Sequence, residues 1–210
     1  MLLVRVQLPD RPGSLGTVAT AMGLAGADIS AIEIVEKLEG HVIDDFMLTL
    51  PLGVPVDELV SECTDIEGVD VLWVSRYPDS WGLEGDVELL NRITSRPGRG
   101  AEVLTEQAPV AFHCQWAALL ETGTGRMLHG SAQSPDFAPE HLALLGALDE
   151  LRTHELPANW LPHWGEVVLA VVPLPVTGTA PARTLVTGRQ GGPAFLESEL
   201  RRLAHLAAMA

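Results

Sequence analysis

The chain has 210 residues, 47% of them hydrophobic and 20% charged, which suits one large domain or two small ones. Its formal net charge of -15 argues against nonspecific binding to nucleic acid and to an anionic membrane surface, because both recruit Lys and Arg. The sequence contains no run of about 18 apolar residues, so it does not predict a membrane-spanning helix.

The first 77 residues predict the order strand, helix, strand, strand, helix, strand. Apolar residues alternate along the four predicted strands. In sequence order these are residues 3–8, residues 29–36, a strand that ends at 46–50, and residues 69–74. Apolar residues recur at helical spacing in the two predicted helices, one after Gly13 and one after Pro55. This order suits a single sheet with both helices packed on one face.

The turn between the first strand and the first helix is a candidate binding loop. Pro12 fixes one backbone angle, Gly13 permits an angle that other residues resist, and Ser14 is the predicted helix N-cap. Free N–H groups at the positive end of a helix suit a small anionic group such as a carboxylate. The alternative is a tight turn that serves only the fold. The loop consists of Leu8, Pro9, Asp10, Arg11, Pro12, Gly13, Ser14, Leu15 and Gly16.

The loop, followed by the segment Gly26-Ala27-Asp28-Ile29, resembles the ACT domain, a regulatory module that binds amino acids. The resemblance covers residues 1–77 and implies a ferredoxin-like βαββαβ fold. It also implies that the ligand is a free amino acid or a similar small carboxylate, held where two such domains meet in a homodimer.

The resemblance also implies a role for each candidate residue. The N–H groups of Gly13, Ser14 and Leu15 would hold the carboxylate, and Asp28 and Ile29 would lie across the pocket. Either Asp10 or Asp28 could receive an ammonium group through charge-assisted hydrogen bonds, and Arg11 either faces solvent or pairs with Asp10. The candidate ligand-binding residues are Asp10, Arg11, Pro12, Gly13, Ser14, Leu15, Asp28 and Ile29.

Residues 78–108 are interpreted as a linker that contains one helix, bounded by Arg96-Pro97-Gly98. Residues 109–210 predict a second α+β domain. Its predicted strands cover 111–120, 125–132, 166–172 and 182–188, with one helix from Pro139 that carries Leu142, Leu145, Leu148 and Leu151, and a closing helix from Gly192-Pro193. Its element order and C-terminal segment resemble a compact GAF-like domain. The predicted fold class is therefore α+β, an ACT-like domain followed by an antiparallel GAF-like one.

The histidines and cysteines do not predict a metal site. His113 and Cys114 are adjacent in a predicted strand, so their side chains point to opposite faces and cannot easily share one ion with His129. A structural histidine and a buried thiol are the simpler explanation. Zinc binding between His154 and His163 is likewise disfavoured. We expect neither a metal nor another cofactor.

The sequence contains no recognisable catalytic group, and we therefore predict a protein that is not an enzyme. The glycine-rich segments lack the Lys and the spacing of a phosphate loop, and no nucleophile, acid and base converge. Four tryptophans either line an apolar pocket or, more simply, pack in a core. These are Trp81, Trp116, Trp160 and Trp164.

The favoured function is a non-catalytic regulatory protein that senses an amino acid in the cytoplasm. Residues 1–5 lack the features of a signal peptide, and Cys63 and Cys114 are expected to be reduced thiols. The alternative is a regulatory subunit or an enzyme of amino-acid metabolism with an unrecognised site in the C-terminal domain. A separate metabolic enzyme is a candidate partner in this alternative. A DNA-binding regulator is disfavoured because the chain has no basic helix and no helix-turn-helix pattern.

Overall fold

The computed structural model describes residues 1–76, 83–161, 164–176 and 178–210. The chain divides into two compact units, Met1–Asp79 and Ser80–Ala210. Each unit contains its own antiparallel sheet with helices packed on it. The predicted α+β class with two antiparallel sheets is therefore confirmed.

The first unit contains six elements in the predicted order. Its strands pair in the order β2-β3-β1-β4, and every neighbouring pair is antiparallel. Each helix therefore connects two strands that have one other strand between them. The elements are β1 (Leu2–Pro9), α1 (Ser14–Leu24), β2 (Asp28–Leu38), β3 (His41–Thr49), α2 (Val56–Thr64) and β4 (Asp70–Arg76).

One face of this sheet packs against both helices. Val4, Val6 and Leu8 of β1 point to that face because alternate strand residues share a side. Val18 and Met22 lie four residues apart on α1, as a buried helical stripe requires. Each fully buried side chain of this size contributes about 1.5–3 kcal/mol by leaving water. The core fixes both ends of the β1–α1 loop.

The second unit contains a five-stranded sheet in the order β6-β5-β9-β8-β7. Its paired neighbours are all antiparallel. The elements are α3 (Leu83–Thr94), α4 (Gly100–Ala111), β5 (Trp116–Glu121), β6 (Met127–Gly130), α5 (Pro139–Leu145), β7 (Arg152–Leu156), β8 (Val167–Pro173), β9 (Arg183–Gln190) and α6 (Glu197–Ala207).

Both faces of the second sheet are covered. Ala117, Leu119 and Val172 belong to a core shared with α3, α4 and α6. Trp116 and Val171, on the opposite face, belong to a separate aromatic core. This double coverage explains why β5 and β8 have almost continuous apolar sequences.

The structure corrects the interpretation of residues 78–108 as a linker. Leu89 and Ile93 of α3 are buried in the core of the second unit, together with Leu104 of α4. Helix α4 was not predicted, and neither was strand β7. The predicted strand 111–120 begins only at Trp116 because α4 ends at Ala111.

The ends of helices α4 and α5 are each followed by a residue with a positive φ angle. His113 follows α4 with a φ of 48°, the left-handed conformation that commonly terminates a helix. Helix α5 ends at Leu145 because Gly146 has a φ of 71°. The predicted continuation of α5 to Leu148 and Leu151 is therefore wrong.

Candidate functional site

The loop between β1 and α1 turns through a glycine in a left-handed conformation. Gly13 has a φ of 95° and is the N-cap of α1, and its carbonyl accepts the N–H of Thr17 at 3.0 Å. Ser14 is therefore the first helical residue, and the prediction of Ser14 as N-cap is wrong. Glycine occupies the cap because most other residues are strained at this angle.

The first turn of α1 leaves several N–H groups without partners. The N–H of Ser14 donates to the carbonyl of Arg11 at 3.2 Å, so it is not available to a ligand. Among the described residues, the N–H groups of Gly13, Leu15 and Gly16 have no acceptor. These groups and the helix dipole create a positive potential in front of α1.

A cavity of about 170 Å³ adjoins the loop within the first unit. One wall is the loop and the first turn of α1, and the other is the turn between α2 and β4. Gly68 in that second turn has a φ of 80°, and a Cβ there would lie 3.1 Å from the ring of Pro9, so the two turns approach closely. The lining residues are Pro9, Arg11, Pro12, Gly13, Ser14, Thr17, Ile66, Glu67 and Val69.

The cavity brings together polar groups of different kinds. The Oγ of Ser14 is buried and has no hydrogen-bond partner within the described ranges. Arg11 and Glu67 are exposed and carry opposite charges, and neither forms an ion pair with another described residue. Hydrogen-bond donors that suit an anion and the carboxylate of Glu67 thus belong to the lining of one small cavity. Sequence reasoning missed Glu67, because it lies more than fifty positions after the loop.

The other predicted wall, Asp28 and Ile29, lies at the opposite end of the sheet. Asp28 pairs with Thr49, whereas Pro9 pairs with His41, eight residues earlier on β3 (49 − 41 = 8). At about 3.4 Å per residue, these two levels are about 27 Å apart. In a single chain, the loop and Asp28 therefore do not share a pocket.

Asp10 contacts Gly40 and Lys37. Its N–H donates to the carbonyl of Gly40 at 3.0 Å, and its carboxylate lies 3.7 Å from Nζ of Lys37. Both side chains of this ion pair are largely exposed, so it adds little stability. The two alternatives for Arg11 were exposure to solvent and an ion pair with Asp10. Arg11 is exposed and forms no ion pair with Asp10.

Asp44 is a buried carboxylic acid that sequence reasoning missed. It lies in the middle of β3, between Val6 of β1 and Ile34 of β2, and only 2% of it is exposed. Its Oδ1 has no partner in the part of the chain that the structure describes. Burial, reinforced by the charges of Asp45 and Asp10 and opposed by that of Lys37, raises the pKa of Asp44 to about 6.

We expect Asp44→Asn to stabilise the first unit by about 2 kcal/mol at pH 7. A folded-state pKa above the ordinary value of 3.8 means that the folded protein binds this proton more tightly than the unfolded chain. Stability contributed by the proton is full below about pH 4 and is lost as the pH rises through about 6. Urea unfolding at pH 4 and pH 7 measures the difference. An equal gain at both pH values would contradict the prediction.

The predicted structural roles of the histidines and cysteines can now be located. No group of three or more His, Cys, Asp or Glu residues among those described could hold a metal ion. Nε2 of His129 lies 3.1 Å from the carboxylate of Glu106. Cys63 and Cys114 are buried free thiols, and burial raises their pKa values to about 11 and about 12. Neither thiol has the lowered pKa of a nucleophile.

Three of the four tryptophans pack together in the aromatic core of the second unit. The rings of Trp116, Trp160 and Trp164 have centroids 5.9–6.4 Å apart, and Phe137 lies 5.6 Å from Trp116. Such distances are typical of direct packing between aromatic rings. Trp81 and His163 lie outside the described residues.

A larger cavity, of about 560 Å³, lies in the second unit. It is formed by the end of β7, the start of β8 and the residues that follow β9. Its volume is within the usual range of small-molecule sites. Its lining includes two exposed carboxylates, Glu155 and Glu166. It also includes two buried apolar residues, Leu156 and Val167.

No family model matches the chain, and no curated protein matches it. None of the helices in the described ranges is long and apolar enough to cross a membrane.

Three solved structures are distant likenesses. The GAF domain of a protein classed as a sensor histidine kinase from Pseudomonas syringae pv. tomato is 18% identical, with a TM-score of 0.41 over 60% of this chain and 81% of that one. A formyltetrahydrofolate deformylase from Pseudomonas putida is 10% identical, with a TM-score of 0.30 over 44% and 38%. An unknown protein from Galdieria sulphuraria is 12% identical, with a TM-score of 0.31 over 89% and 78%. No function is carried over from likenesses this distant.

Proposed function

We propose that the chain is a non-catalytic regulatory protein of the cytoplasm that binds a free amino acid at the loop between β1 and α1. The observation that carries the proposal is the cavity of about 170 Å³ beside Gly13, where N–H groups of a helix N-terminus adjoin a buried hydroxyl. The resemblance of residues 10–15 and 26–29 to the ACT domain supports it. So does the strand order β2-β3-β1-β4, which suits a ferredoxin-like fold.

Two copies of the chain associate along β2 in this proposal. Strand β2 is eleven residues long and forms an edge of its sheet. Ile32 and Ile34 are exposed on it, by 39% and 54%, and an apolar edge strand favours pairing with another strand. Antiparallel pairing of two β2 strands would place Asp28 of the partner subunit at the level of Leu38. That end of β2 lies beside the loop, because Leu38 and Pro9 both pair with His41.

Isothermal titration calorimetry against the twenty common amino acids tests the proposal. We expect at least one to bind, and sedimentation with and without it to show a change in the fraction of dimer, because a ligand shifts the population of any assembly that binds it better. Binding by none of the twenty would refute the proposed function.

Gly13→Val is expected to abolish this binding. A branched side chain is strained at a φ of 95°, so the turn must change and its N–H groups must move. Calorimetry with the amino acid that binds the unchanged protein measures the loss.

Gly53→Val is the matched control. Gly53 has a φ of 92°, and a Cβ at either glycine would meet nothing within 4 Å. Both variants therefore carry similar backbone strain, but Gly53 lies in the connection between β3 and α2. Equal loss of binding in the two variants would count against the loop.

A regulatory subunit of a metabolic enzyme is the related alternative. Its test is affinity capture from the source cell, in which a stoichiometric enzyme of amino-acid metabolism would identify the chain as such a subunit. Purified protein that depletes no amino acid on prolonged incubation would support the non-catalytic part of the proposal.

A further inference from the structure

We infer that the groove between α1 and α2 is a docking surface for another protein, which contributes an amphipathic helix with Lys or Arg beside its apolar stripe. This goes beyond the binding of an amino acid, because it assigns a macromolecular partner to the first unit. One wall of the groove comes from α1. The other comes from the C-terminal end of α2 and the turn after it.

The wall formed by α1 is uncharged. Its lining residues, Thr17, Thr20, Ala21 and Leu24, recur at the spacing of one stripe along about two turns of helix. No residue from Ser14 to Leu24 is charged, although charged and polar side chains are typical of the solvent face of a helix. Thr17 and Thr20 already donate their hydroxyl protons to carbonyls of the preceding turn, at 3.1 and 2.7 Å. This wall therefore offers a partner mainly apolar contact.

The apolar part of the groove contains both exposed and buried groups. Leu24 is 76% exposed, Ala21 is 8% exposed, and Ile66 of the other wall packs partly against the core of the first unit. A single exposed leucine is ordinary on a protein surface, but Leu24 lines one groove together with these more buried side chains. An amphipathic helix of a partner binds by laying its apolar stripe into a groove of this kind.

The wall formed by the end of α2 is acidic. Glu62 and Asp65 are exposed at the C-terminal end of this helix, where the dipole is negative and cations are favoured. The last turn of α2 has no basic residue. Neither carboxylate forms an ion pair with another residue in the part of the chain that the structure describes. Lys or Arg from a partner would relieve this unfavourable arrangement.

The charge of the surrounding sequence decides the chemistry of the partner. Between Lys37 and Arg76 the chain has no Lys and no Arg, and its formal net charge is -15. Acidic partners are repelled by such a surface, whereas a basic one is attracted to it and oriented by it. The apolar wall of α1 supplies the contact that a purely basic segment would not use. A basic and amphipathic helix complements both walls.

Fluorescence anisotropy with a synthetic peptide tests the inference. The probe is a labelled peptide of about 14 Leu and Lys residues, in which Leu recurs at the i, i+3, i+4 and i+7 spacing of one helix face. Its control has the same composition in an order that forms no apolar face. At about 0.15 M salt, we expect the probe to bind at least about tenfold more tightly than its control. Raising the salt to about 0.5 M should weaken the probe by about tenfold, because screening reduces the attraction.

The acidic wall is tested by the double variant Glu62→Gln with Asp65→Asn, which should weaken the probe by about tenfold or more. Asp57→Asn with Glu58→Gln is the matched control. It removes the same charge from exposed positions of α2 that do not line the groove, so it should have a much smaller effect. Equal effects of the two double variants would show attraction to net charge alone and would overturn the inference.

The apolar wall is tested by Leu24→Ser, with Leu52→Ser as its control. Leu52 is fully exposed in the connection between β3 and α2 and does not line the groove. We expect Leu24→Ser to weaken the probe by about tenfold and Leu52→Ser to leave it unchanged. Equal binding of the probe by both variants and the unchanged protein would contradict docking in this groove.

Thermal unfolding of each variant separates lost docking from lost folding. Removing carboxylates from the negative end of α2 should not lower the melting temperature of the Glu62→Gln, Asp65→Asn variant. Weaker binding by a variant that melts at the original temperature or above therefore supports the inference. Sedimentation identifies a different occupant. Self-association of the unchanged protein that Leu24→Ser abolishes would assign the groove to a second copy of the chain and would overturn the inference.

Discussion

Arg189→Met is expected to lower the free energy of unfolding of the second unit by about 3–5 kcal/mol. The guanidinium is fully buried and lies 3.0 Å from the carboxylate of Glu199, which is itself 7% exposed. It also donates to the carbonyls of Phe112, His113 and Pro193 at 2.8–3.2 Å. Methionine would fill much of the volume but leave Glu199 charged and buried. Chemical unfolding followed by near-ultraviolet circular dichroism measures the loss.

Arg201→Met is the matched control, because Arg201 lies on α6, the helix that also carries Glu199, and forms an exposed pair with Glu197. An exposed pair at this spacing contributes about 0.3–0.5 kcal/mol, so a small change is expected. Adding Glu199→Leu to Arg189→Met should recover part of the loss, since no unpaired charge remains in the core. Equal effects of Arg189→Met and Arg201→Met would contradict the importance of the buried pair.

Gly188→Ala is expected to destabilise the second unit by about 3 kcal/mol. Gly188 lies in β9 opposite Trp116 of β5, and a Cβ there would overlap Cε2, Cζ2 and Nε1 of the indole. Trp116 is 0% exposed and packs against Phe137 and Trp160, so it cannot move without displacing them. Far-ultraviolet circular dichroism during urea unfolding measures the effect without depending on tryptophan fluorescence.

The cost of Gly188→Ala should disappear when its cause is removed. In a Trp116→Leu background, which is itself destabilised, the added methyl should cost much less than 3 kcal/mol, because the overlapping ring atoms are gone. Gly123→Ala is the control, since a Cβ at Gly123 meets nothing within 4 Å. Because Gly→Ala lowers the entropy of the unfolded chain, Gly123→Ala should not destabilise. A loss at Gly123 equal to that at Gly188 would show that the effect does not come from the contact with Trp116.

Most of the first unit could be predicted from the sequence because its signals are local. Apolar residues alternate along β1 and β3, and glycines or prolines mark the ends of these strands. Helices α1 and α2 each carry an apolar stripe. Helix α4 was missed because Pro109 lies inside it and its buried face is built partly from small residues such as Gly100 and Ala101. Strand β7 was missed because it is a short edge strand whose Arg152, His154 and Glu155 do not form an apolar pattern.

The candidate site was predictable only in part, because its two walls come from distant segments. The motif at Asp10–Leu15 located the loop, and Gly13 has the conformation that its residue type favours. Nothing local predicted that Glu67 lines the same cavity as Arg11, since a single acidic residue in a turn has no distinctive pattern. Asp44 could have been noticed as a carboxylate within an apolar strand, but only the sheet register shows that it is buried on the helix-covered face.

The pairing of β1 with β4 has a consequence for how the chain emerges during synthesis. Arg5 is opposite Trp73, 68 positions later (73 − 5 = 68). At about 5–20 residues per second, about 3–14 s pass between the synthesis of these two partners. Strand β3 precedes β4 in the sequence, so in that interval β3 is the only one of the two neighbours of β1 that has been made. The complete four-stranded sheet of the first unit can therefore form only after β4 has been made.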